Sequence, residues 1–421
     1  MLNRRQTLKW IGLPALAGGP LGGLAGALER ARAFDDSDER YWHEIGRAFT
    51  VDRALINLNN GGVSPSPRHV QEAMKEYLDF SNKASAYNMW RILEPCIETV
   101  RVHVAKLWGV DSEEIAITRN ASEGLQTCQF GFDLEPGDEV LTTTQDYPRM
   151  ITTFLQRERR EGIVLRQFSL PTPCEDPDRV VQLFEENITD RTRMILASHM
   201  TFTSGQILPV REIAALGRKR GIPVIIDGAH AFAHFDFSLA EIACDYYATS
   251  LHKWLFAPHG TGLLYVRRDK IPGLWPLMAA TEEQSADIRK FEQIGTHPLA
   301  NYLAVAEALY FHEELGPERK QQRLIELRDY WADRLLQNDR VRLNTSQKPG
   351  LACGIANVSI DGLDVTELTK WLRKKHQILV VAVKHEDCTG IRVSPSVYTT
   401  KGELDRFCEV MEGALANGLS G

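Results

Sequence analysis

A carboxylate and a lysine each follow a short apolar run in the middle of the chain. Asp227 follows the run 222–226 and is the first residue of the tetrad Asp-Gly-Ala-His230. Lys253 is the last residue of the tetrad Ser250-Leu-His-Lys, which comes after a second run that begins at residue 246. Both runs have the length and β-branching of buried strands. Because an open α/β sheet binds its ligand beyond the carboxyl ends of its strands, we expect both side chains in one site. An amine that forms a Schiff base and a carboxylate that pairs with a pyridinium nitrogen suit pyridoxal 5′-phosphate (PLP).

Apolar neighbours surround Lys253 in the sequence. Most lysines are surface charges, but this one is flanked by Leu251, Trp254, Leu255 and Phe256. Such a setting disfavours the charged ammonium, so we expect a lowered pKa and an amine that is free for imine chemistry. The same amine could then move the proton of a substrate Cα atom, which makes Lys253 the first candidate for a catalytic residue.

Two further stretches could contact the cofactor. A strand-like run to Thr118 leads into a helix at Asn120-Ala-Ser-Glu-Gly124, where Ser122 looks like an N-cap and the first-turn amides could bind a phosphate. Tyr147 follows the next run and could stack on the pyridine ring, a contact worth about 0.5–1.5 kcal/mol beyond its buried area. Each pattern alone fits a structural role as well, since most N-cap serines bind nothing and loop tyrosines often pack against protein.

Histidines in and near the two tetrads allow a metal-binding alternative. His230 and His234 are four residues apart, the spacing that places two ligands on one helix face, and His252 or His259 could join them. No glutamate separates the pair, and the residues between them are apolar. We therefore predict that His230 contacts the ring hydroxyl, that His234 is structural and that there is no metal site.

One arginine lies in a strand-like run near the C-terminus, at Gly390-Ile-Arg392. Its guanidinium suits the α-carboxylate of a substrate, because the two groups can form two parallel hydrogen bonds. An ordinary salt bridge to a carboxylate of the protein is the alternative, and the sequence leaves it open.

Composition and periodicity indicate an α/β protein. The chain has 421 residues, 43% of them hydrophobic and 25% charged, which suits a globular protein with one large and one smaller domain. Its net charge of −7 argues against nucleic acid and anionic membrane as partners. Strand-like and helical stretches alternate and predict a mostly parallel sheet. The predicted strands are 114–118, 139–142, 163–168, 193–198, 223–226, 246–249 and 263–266.

The predicted domain order begins with a signal peptide over residues 1–33. Arg4 and Arg5 form a twin-arginine pattern, a weakly apolar, glycine-rich stretch follows, and 31–33 fits a small-x-small cleavage site. Its glycines and prolines weaken the alternative of a membrane-spanning helix. The prediction is a periplasmic protein that uses the twin-arginine export machinery, which carries folded proteins. An N-terminal segment (34–65), a large PLP-binding domain (66–298) and a small α+β domain (299–421) are expected to follow.

Seven cysteines are scattered without a C-x-x-C motif. A protein that folds in a reducing compartment before export should not need disulfides, so buried free thiols are expected. Whether one pair oxidises is left open by the sequence.

Together these motifs resemble the class V aminotransferase family of fold type I PLP enzymes. Within it the chain looks most like the isopenicillin N epimerase-like branch, alongside cysteine desulfurases and kynureninases. The resemblance runs from about residue 55 to 398 and is carried by 120–124, 198–203, 227–230, 250–253 and Arg392. It implies a homodimer with PLP as cofactor and a small-molecule or peptide substrate that has an amino and a carboxylate group.

The resemblance also implies a role for each motif residue. Lys253 would carry the cofactor, Asp227 would pair with the pyridine nitrogen, and Arg392 would bind the substrate carboxylate. Thr296 matches the position that completes the partner subunit's phosphate site in such dimers. The candidate residues are then Lys253, Asp227 and His252 for catalysis; Ala121, Ser122, Tyr147, Thr203, Asp227, His230, Ser250, His252, Lys253 and Thr296 for the cofactor; and Arg392 and Asn60 for the substrate.

Two departures from cysteine desulfurases narrow the expected chemistry. Desulfurases carry a nucleophilic cysteine on a long loop well before the carboxylate arginine, whereas Cys388 lies only four residues before Arg392. Persulfide chemistry is therefore disfavoured. Phe202 stands where desulfurases have an asparagine near the ring O3′ atom, as in the epimerase-like branch.

Exported members of this branch modify the glutamyl side chain of the siderophore pyoverdine, so the resemblance implies an aminotransferase-like enzyme of siderophore maturation. The alternative within the enzyme class is an epimerase or racemase of a peptide amino acid, which needs a second acid/base group that the sequence does not reveal. An exported non-catalytic or metal-binding protein is the alternative of another class.

Overall fold

The computed structural model describes residues 27–419, and a seven-stranded sheet forms its centre. Across this sheet the strands follow the order β2-β8-β7-β6-β5-β3-β4, in which β8 is antiparallel to both neighbours and the other pairs are parallel. Within the described residues the strands are β1 (Ile56–Asn57), β2 (Ile115–Thr118), β3 (Glu139–Thr143), β4 (Val164–Phe168), β5 (Thr192–Ser198), β6 (Val224–Asp227), β7 (Tyr246–Ser250), β8 (Gly262–Val266), β9 (Val341–Leu343), β10 (Ala356–Ile360), β11 (Ile378–Leu379), β12 (Val381–Lys384) and β13 (Thr389–Val393).

The predicted mostly parallel sheet is confirmed. Each of the seven predicted strands is present, with its ends within one residue of the expected positions. Most of these runs are buried on both faces, which is why they appear in the sequence as short continuous apolar segments, whereas the edge strand β4 is only partly buried. Alternate residues face opposite layers: Val224 and Ile226 join one hydrophobic core, whereas Ile225 joins the other.

Helices cover both faces of this sheet. The helix Ala121–Gly131 packs on the face of Ile225, and the helix Glu94–Trp108 packs on the opposite face. Among the described residues the α-helices are Glu39–Gly46, Arg68–Lys83, Ser85–Tyr87, Glu94–Trp108, Ala121–Gly131, Pro148–Glu161, Pro177–Asn187, Val210–Arg220, Leu239–Ile242, Leu299–Leu303, Val305–Leu315, Pro317–Leu335, Val365–His376 and Lys401–Asn417, with a π-helical turn at Asn88–Leu93.

The register of the sheet brings three polar strand ends together. Ser198 at the end of β5 pairs with Asp227 at the end of β6. Asp227 in turn pairs with Ala248 of β7, whose last residue, Ser250, lies beside Gly262 of β8. The carboxyl ends of β5, β6 and β7 therefore meet at one edge, where ligands bind in open α/β sheets.

A second core belongs to a smaller domain. The antiparallel sheet β12-β13-β10-β9 packs with the helices Pro317–Leu335, Val365–His376 and Lys401–Asn417. The two preceding helices, over 299–315, bury Leu299 to Leu309 in the core of the large domain instead. Apart from Leu58, the hydrophobic core of the small domain takes its described side chains from Leu327 onward, later in the chain than the expected boundary at residue 299.

The segment before the large domain also contributes to the small one. Strand β1 pairs in parallel with β11, and Leu58 is buried in the small-domain core. Further upstream, residues 27–31 are helical, and Ala27, Leu28 and Ala31 are buried in a cluster that includes Trp42. Cleavage near Ala33 would therefore uncover apolar surface. The twin-arginine pattern itself lies outside the described residues. No helix in the described part of the chain combines the length and apolarity needed to span a bilayer.

Candidate active site

A cavity of about 620 Å³ opens at the carboxyl ends of β5, β6 and β7, between the two domains. Strand ends, the first turn of a helix and a small-domain strand all contribute to its wall. Its lining residues are Gly61, Gly62, Arg119, Asn120, Ala121, Ser122, Glu123, Leu125, Gln126, Tyr147, Arg149, Ser198, Met200, Phe202, Asp227, Ala229, His230, Ser250, His252, Lys253 and Arg392. The cavity thus brings together residues of both tetrads, Tyr147 and Arg392, the grouping that the sequence predicts.

Lys253 lies partly buried in this cavity, just after β7. Its Nζ atom is 3.4 Å from Nε2 of His230. Burial lowers the pKa of Lys253 to about 8, although Asp227 opposes the shift by attracting the ammonium, and the positive charge of Arg392 adds to it. A lysine with this pKa has a sizeable fraction of free amine at mildly alkaline pH, as imine chemistry requires.

Asp227 is buried, and its carboxyl group accepts a single hydrogen bond from the described residues. Its Oδ1 atom accepts from the amide of Ala229 at 2.9 Å, and burial raises the pKa of the carboxyl group to about 6. The neighbouring Asp146 differs, because it accepts bonds from Thr142, Thr143 and Ser198. A buried carboxylate with an unused oxygen is suited to a cationic N–H group, such as a pyridinium nitrogen.

Both histidines of the tetrads are neutral. Burial lowers the pKa of His252 to about 4, and its Nδ1 atom lies 3.2 Å from the carbonyl oxygen of Thr261. The pKa of His230 is well below its usual value for the same reason, and its buried Nδ1 atom has no hydrogen-bond partner among the described residues. A buried polar atom without a hydrogen bond is uncommon in folded proteins, which makes this side of the imidazole a notable feature of the site.

A helix N-terminus provides the anion-binding corner. The helix Ala121–Gly131 is capped by Asn120, whose side chain accepts from the amide of Glu123, and not by Ser122 as expected from the sequence. Ser122 is the second residue of the helix, so its amide has no intrahelical acceptor and remains available to a phosphate. The amide of Ala121 donates to Oγ of Ser250 at 3.0 Å, which holds this hydroxyl at the same corner.

Tyr147 lies at the mouth of the cavity. Its side chain is 39% exposed, and its ring meets that of Phe202 edge to face, with centroids 5.5 Å apart. Because only one edge is covered, much of the ring surface remains free. Tyr147 is therefore available to stack on a flat ligand ring.

Arg392 is buried without an acidic partner. Its two terminal nitrogens donate to the carbonyl oxygen of Phe202 at 2.9 Å and to Oδ1 of Asn59 at 3.1 Å, and its Nε atom is unpartnered. Burial lowers its pKa to about 10. Among the described residues the other buried arginines, Arg101, Arg157, Arg323 and Arg328, each pair with a carboxylate. The salt-bridge alternative for Arg392 is therefore not realised within the described chain.

Two residues that were expected in the site, Asn60 and Thr203, do not line the cavity. Asn60 donates to the carbonyl oxygens of Asn57 and Ser394 and accepts from Tyr398, so its side chain is fully used and does not line the cavity. Its neighbour Asn59 is the residue that orients Arg392. Thr203 is also buried behind the cavity wall, and its hydroxyl has no partner among the described residues.

Thr296 does not reach the cavity of its own chain. It lines a separate cleft of about 510 Å³ together with Trp90, Arg101, Glu292 and Tyr302. The expectation that it serves a partner subunit is therefore compatible with its position and stays a prediction.

Metal binding and cysteine chemistry gain no support from the geometry. Both ring nitrogens of His234 are hydrogen-bonded to backbone, to the carbonyl of His230 and the amide of Gly354. Over residues 27–419 there is no group of three or more side chains arranged to hold a metal ion. All seven cysteines, which the structure describes in full, are buried and unpaired, including Cys388.

The sequence could have revealed one of the two missed residues. The pattern Asn120-x-x-Glu123 is a capping signal that competes with Ser122, since asparagine is at least as good an N-cap as serine. Asn59 lies in the same turn as Asn60, and sequence alone gives no means of choosing between them.

The fold and the site define a PLP enzyme of fold type I: a free lysine, an undersatisfied buried aspartate, an open helix N-terminus and an exposed aromatic ring surround one cavity and fit this cofactor. The sequence profile of the aminotransferase class-V family matches residues 56–407, and the chain belongs to this family.

Relatives and solved structures agree with this assignment. The chain is 30% identical over 397 residues to isopenicillin N epimerase of Streptomyces clavuligerus, which covers 88% of this chain and 98% of the relative. It is 26% identical over 388 residues to a probable cysteine desulfurase of Synechocystis, a match that covers 86% of this chain and 91% of the relative. The cysteine desulfurase CsdA from Escherichia coli shares the fold, with a TM-score of 0.77 at 21% identity over 91% of this chain and 99% of that one.

Proposed function

We propose that this protein acts on the amino group of a substrate that also carries a carboxylate, in an aminotransferase-like reaction. The observation that carries the proposal is the pair of Lys253 and Arg392 in one cavity, with Arg392 buried and lacking a protein carboxylate. A buried guanidinium that keeps several N–H groups unused is costly unless a ligand supplies an anion.

Different residues of the cavity hold different parts of the cofactor in this proposal. Bound PLP supplies an electron sink for the negative charge that develops at the substrate Cα atom. Asp227 keeps the ring nitrogen protonated, because its buried carboxylate is stabilised by a positive partner. Ser250 and the amides of the first helical turn hold the phosphate, and His252 lines the same cavity as a neutral side chain.

Proton movement falls to Lys253. With PLP bound, the lowered pKa of the Lys253 amine would let it accept a proton from the substrate Cα atom near neutral pH and then donate that proton to the cofactor. Arg392 fixes the carboxylate of the substrate and thereby the orientation of Cα. The N–H groups it retains, beyond those directed to Phe202 and Asn59, are the donors for this contact.

We further propose that the enzyme is a homodimer in which Thr296 completes the phosphate site of the partner. Its location outside its own cavity supports this arrangement.

The proposed location is the periplasm, and the proposed substrate is a glutamyl side chain such as that of the siderophore pyoverdine. The twin-arginine pattern at Arg4-Arg5 is the support for export. Replacing both by lysine (Arg4→Lys with Arg5→Lys) should leave the protein in the cytoplasmic fraction; an unchanged periplasmic fraction would contradict this part.

Epimerisation is the second candidate, favoured by the 30% identity to isopenicillin N epimerase. An epimerase must deliver a proton to the face of Cα opposite the first base. Tyr147 is a titratable side chain of the cavity that could do so. This alternative predicts inversion at Cα without loss of the amino group.

The test is a visible spectrum of the full chain incubated with PLP, followed by addition of L-glutamate and, separately, a glutamyl-bearing siderophore. We expect an absorbance band that is absent in Lys253→Ala, retained in the surface control Lys348→Ala, and altered by substrate with formation of a keto acid. Failure to form the band would overturn the proposal, whereas inversion of Cα without keto acid would select epimerisation.

A further inference from the structure

A buried histidine behind the cavity connects both domains to the residues around Lys253. His234 follows the tetrad that contains Asp227 and His230, and only 1% of its surface is exposed. Its Nδ1 atom donates to the carbonyl oxygen of His230 at 2.8 Å, and its Nε2 atom accepts from the amide of Gly354 at 2.9 Å. Since a carbonyl only accepts and an amide only donates, these two partners define a single neutral tautomer.

The ring of His234 also supports the segment that carries the reactive lysine. It stacks on the indole of Trp254, with ring centroids 3.6 Å apart and planes within 8° of parallel. Trp254 is fully buried and directly follows Lys253 in the chain. The imidazole of His234 therefore contacts the backbone of His230, which lines the cavity. It also contacts the side chain of Trp254, the residue after Lys253.

A buried lysine holds the same segment from the small-domain side. Lys320, in the helix Pro317–Leu335, donates to the carbonyl oxygen of Trp254, and its ammonium lies 4.0 Å from the centre of the Phe256 ring. Phe256 has a left-handed backbone with φ of 63°, and Ala233, just before His234, has φ of 59°. Non-glycine residues adopt this conformation only when the surroundings impose it, so packing determines both segments.

The surroundings of His234 keep it uncharged. Burial is the main cause that lowers the pKa of His234, and the nearby Lys320 and Arg328 lower it further. Protonation would also remove the acceptor of the Gly354 amide. With a pKa of about 3, the imidazole keeps this hydrogen-bonded, neutral form near neutral pH.

We propose that His234 is a positioning residue that ties the small domain, through Gly354, to the placement of His230 and Lys253 at the cavity floor. The proposal rests on the proposed function only for the role given to Lys253. It predicts that disturbing His234 from either side changes the behaviour of the Lys253 amine, although His234 contacts neither the cofactor nor the substrate.

Two variants disturb the connection from opposite directions. His234→Phe retains an aromatic ring against Trp254 but removes both hydrogen bonds. Gly354→Ala leaves the histidine unchanged, but the added Cβ would lie 3.1 Å from Nε2 of His234 and 3.0 Å from Cβ of Leu324, which forces a shift. His69→Phe is the matched control, because His69 is another buried histidine bonded to a backbone carbonyl, that of Glu307.

The measurement is the rate at which the full-length apoprotein captures PLP, followed through growth of the visible band across a pH series. We expect both variants to capture PLP about tenfold more slowly than wild type, because a displaced amine attacks less well. The midpoint of the pH dependence should rise as water reaches Lys253. Amide hydrogen exchange at Gly354 in the apoprotein should be faster in His234→Phe.

The outcomes separate this inference from the proposed function. Variants that match wild type and His69→Phe in rate and midpoint would overturn the positioning role, even if they are less stable. If His234→Phe does not fold, Gly354→Ala alone decides. A wild-type protein that captures no PLP would instead overturn the proposed function, while faster exchange at Gly354 would still report the hydrogen bond to His234.

Discussion

Nζ of Lys253 lies 3.4 Å from Nε2 of His230, and the two side chains form the floor of the cavity. Burial lowers the pKa of His230, and the nearby positive charges lower it further. The imidazole therefore stays neutral beside the lysine. Nε2 then accepts from the ammonium, and the remaining proton of the imidazole lies on Nδ1, the atom that has no partner among the described residues. The neutral imidazole of His230 thus serves as a hydrogen-bond acceptor for Lys253.

The capture of PLP by the apoprotein should depend on pH through Lys253. Its pKa of about 8 means that the reactive free amine forms as pH rises through that value, so the capture rate should rise with it. His230→Ala should admit water to the cavity floor and move the midpoint upward, toward the ordinary lysine value. Stopped-flow absorbance over a pH series measures both, and a midpoint unaffected by the substitution would contradict burial as the cause.

Loss of the guanidinium at position 392 should weaken substrate binding selectively. In Arg392→Gln the substrate carboxylate loses a buried charged partner, which costs about 2 kcal/mol or more and raises KM by about 30-fold or more. Arg392→Lys should recover only part of this, since lysine cannot form the paired hydrogen bonds. The control is the same substrate as its amide, for which wild type and variants should differ little. Equal losses for acid and amide would argue against a carboxylate site.

Tyr147→Phe should distinguish the two candidate reactions. The variant keeps a ring that can stack on the cofactor and contact Phe202, and it loses only the phenolic hydroxyl. Transamination should then proceed within a few-fold of wild type, whereas epimerisation that uses the phenol should fall by about 10²-fold or more. Chiral chromatography of the recovered amino acid, with keto-acid analysis in parallel, reads both reactions. Loss of PLP binding in this variant would show that the hydroxyl holds the cofactor instead.

Acid should destabilise the apoprotein well above the pH at which carboxylates are protonated. Burial lowers the pKa of His199 and His234 to about 3, whereas an exposed histidine has 6.5. The unfolded chain therefore binds more protons between these values, so the stability contributed by neutral histidine is complete above 6.5 and is lost as pH falls toward 3. Each group contributes a slope of at most about 1.4 kcal/mol per pH unit.

Asp227 acts in the opposite direction. Its pKa is raised from 3.8 to about 6, so its contribution is complete below 3.8 and is lost as pH rises through 6. The free energy of unfolding should still fall on acidification, because burial lowers the pKa of several histidines against this one aspartate, among them His199, His230, His234, His252 and His312. Urea unfolding at several pH values measures the slope, and His199→Phe should reduce it. An unchanged slope in that variant would mean that His199 is not neutral in the folded protein.

Sequence patterns were sufficient for the sheet and for most of the site, because both depend on local signals. Most of the strands are short apolar runs, and Ser198, Asp227 and Ser250 are the last residues of β5, β6 and β7. Parallel pairing then brings Asp227 and Ser250 to one edge without any further information.

The features that sequence reasoning missed depend on distant contacts. Arg392 and Asn59 lie 333 positions apart, and nothing local shows which asparagine of the turn faces the arginine. Whether a buried arginine has a carboxylate partner is likewise a property of the whole fold. The helices over 299–315 are largely buried, and nothing in their own sequence shows which domain they cover, so the boundary between the domains depends on contacts that local patterns do not reveal.

The pairing of β1 with β11 has a consequence for biosynthesis. Ile56 and Asn57 leave the ribosome long before Ile378 and Leu379, so the early strand must wait, unpaired, while the large domain is translated. Lys253 and Asp227 can be assembled by then, but Arg392 emerges later still and meets Asn59 only when translation is almost complete. A nascent chain thus acquires the lysine site first and its carboxylate site last, so a C-terminally truncated product could retain cofactor capture and lack substrate selection.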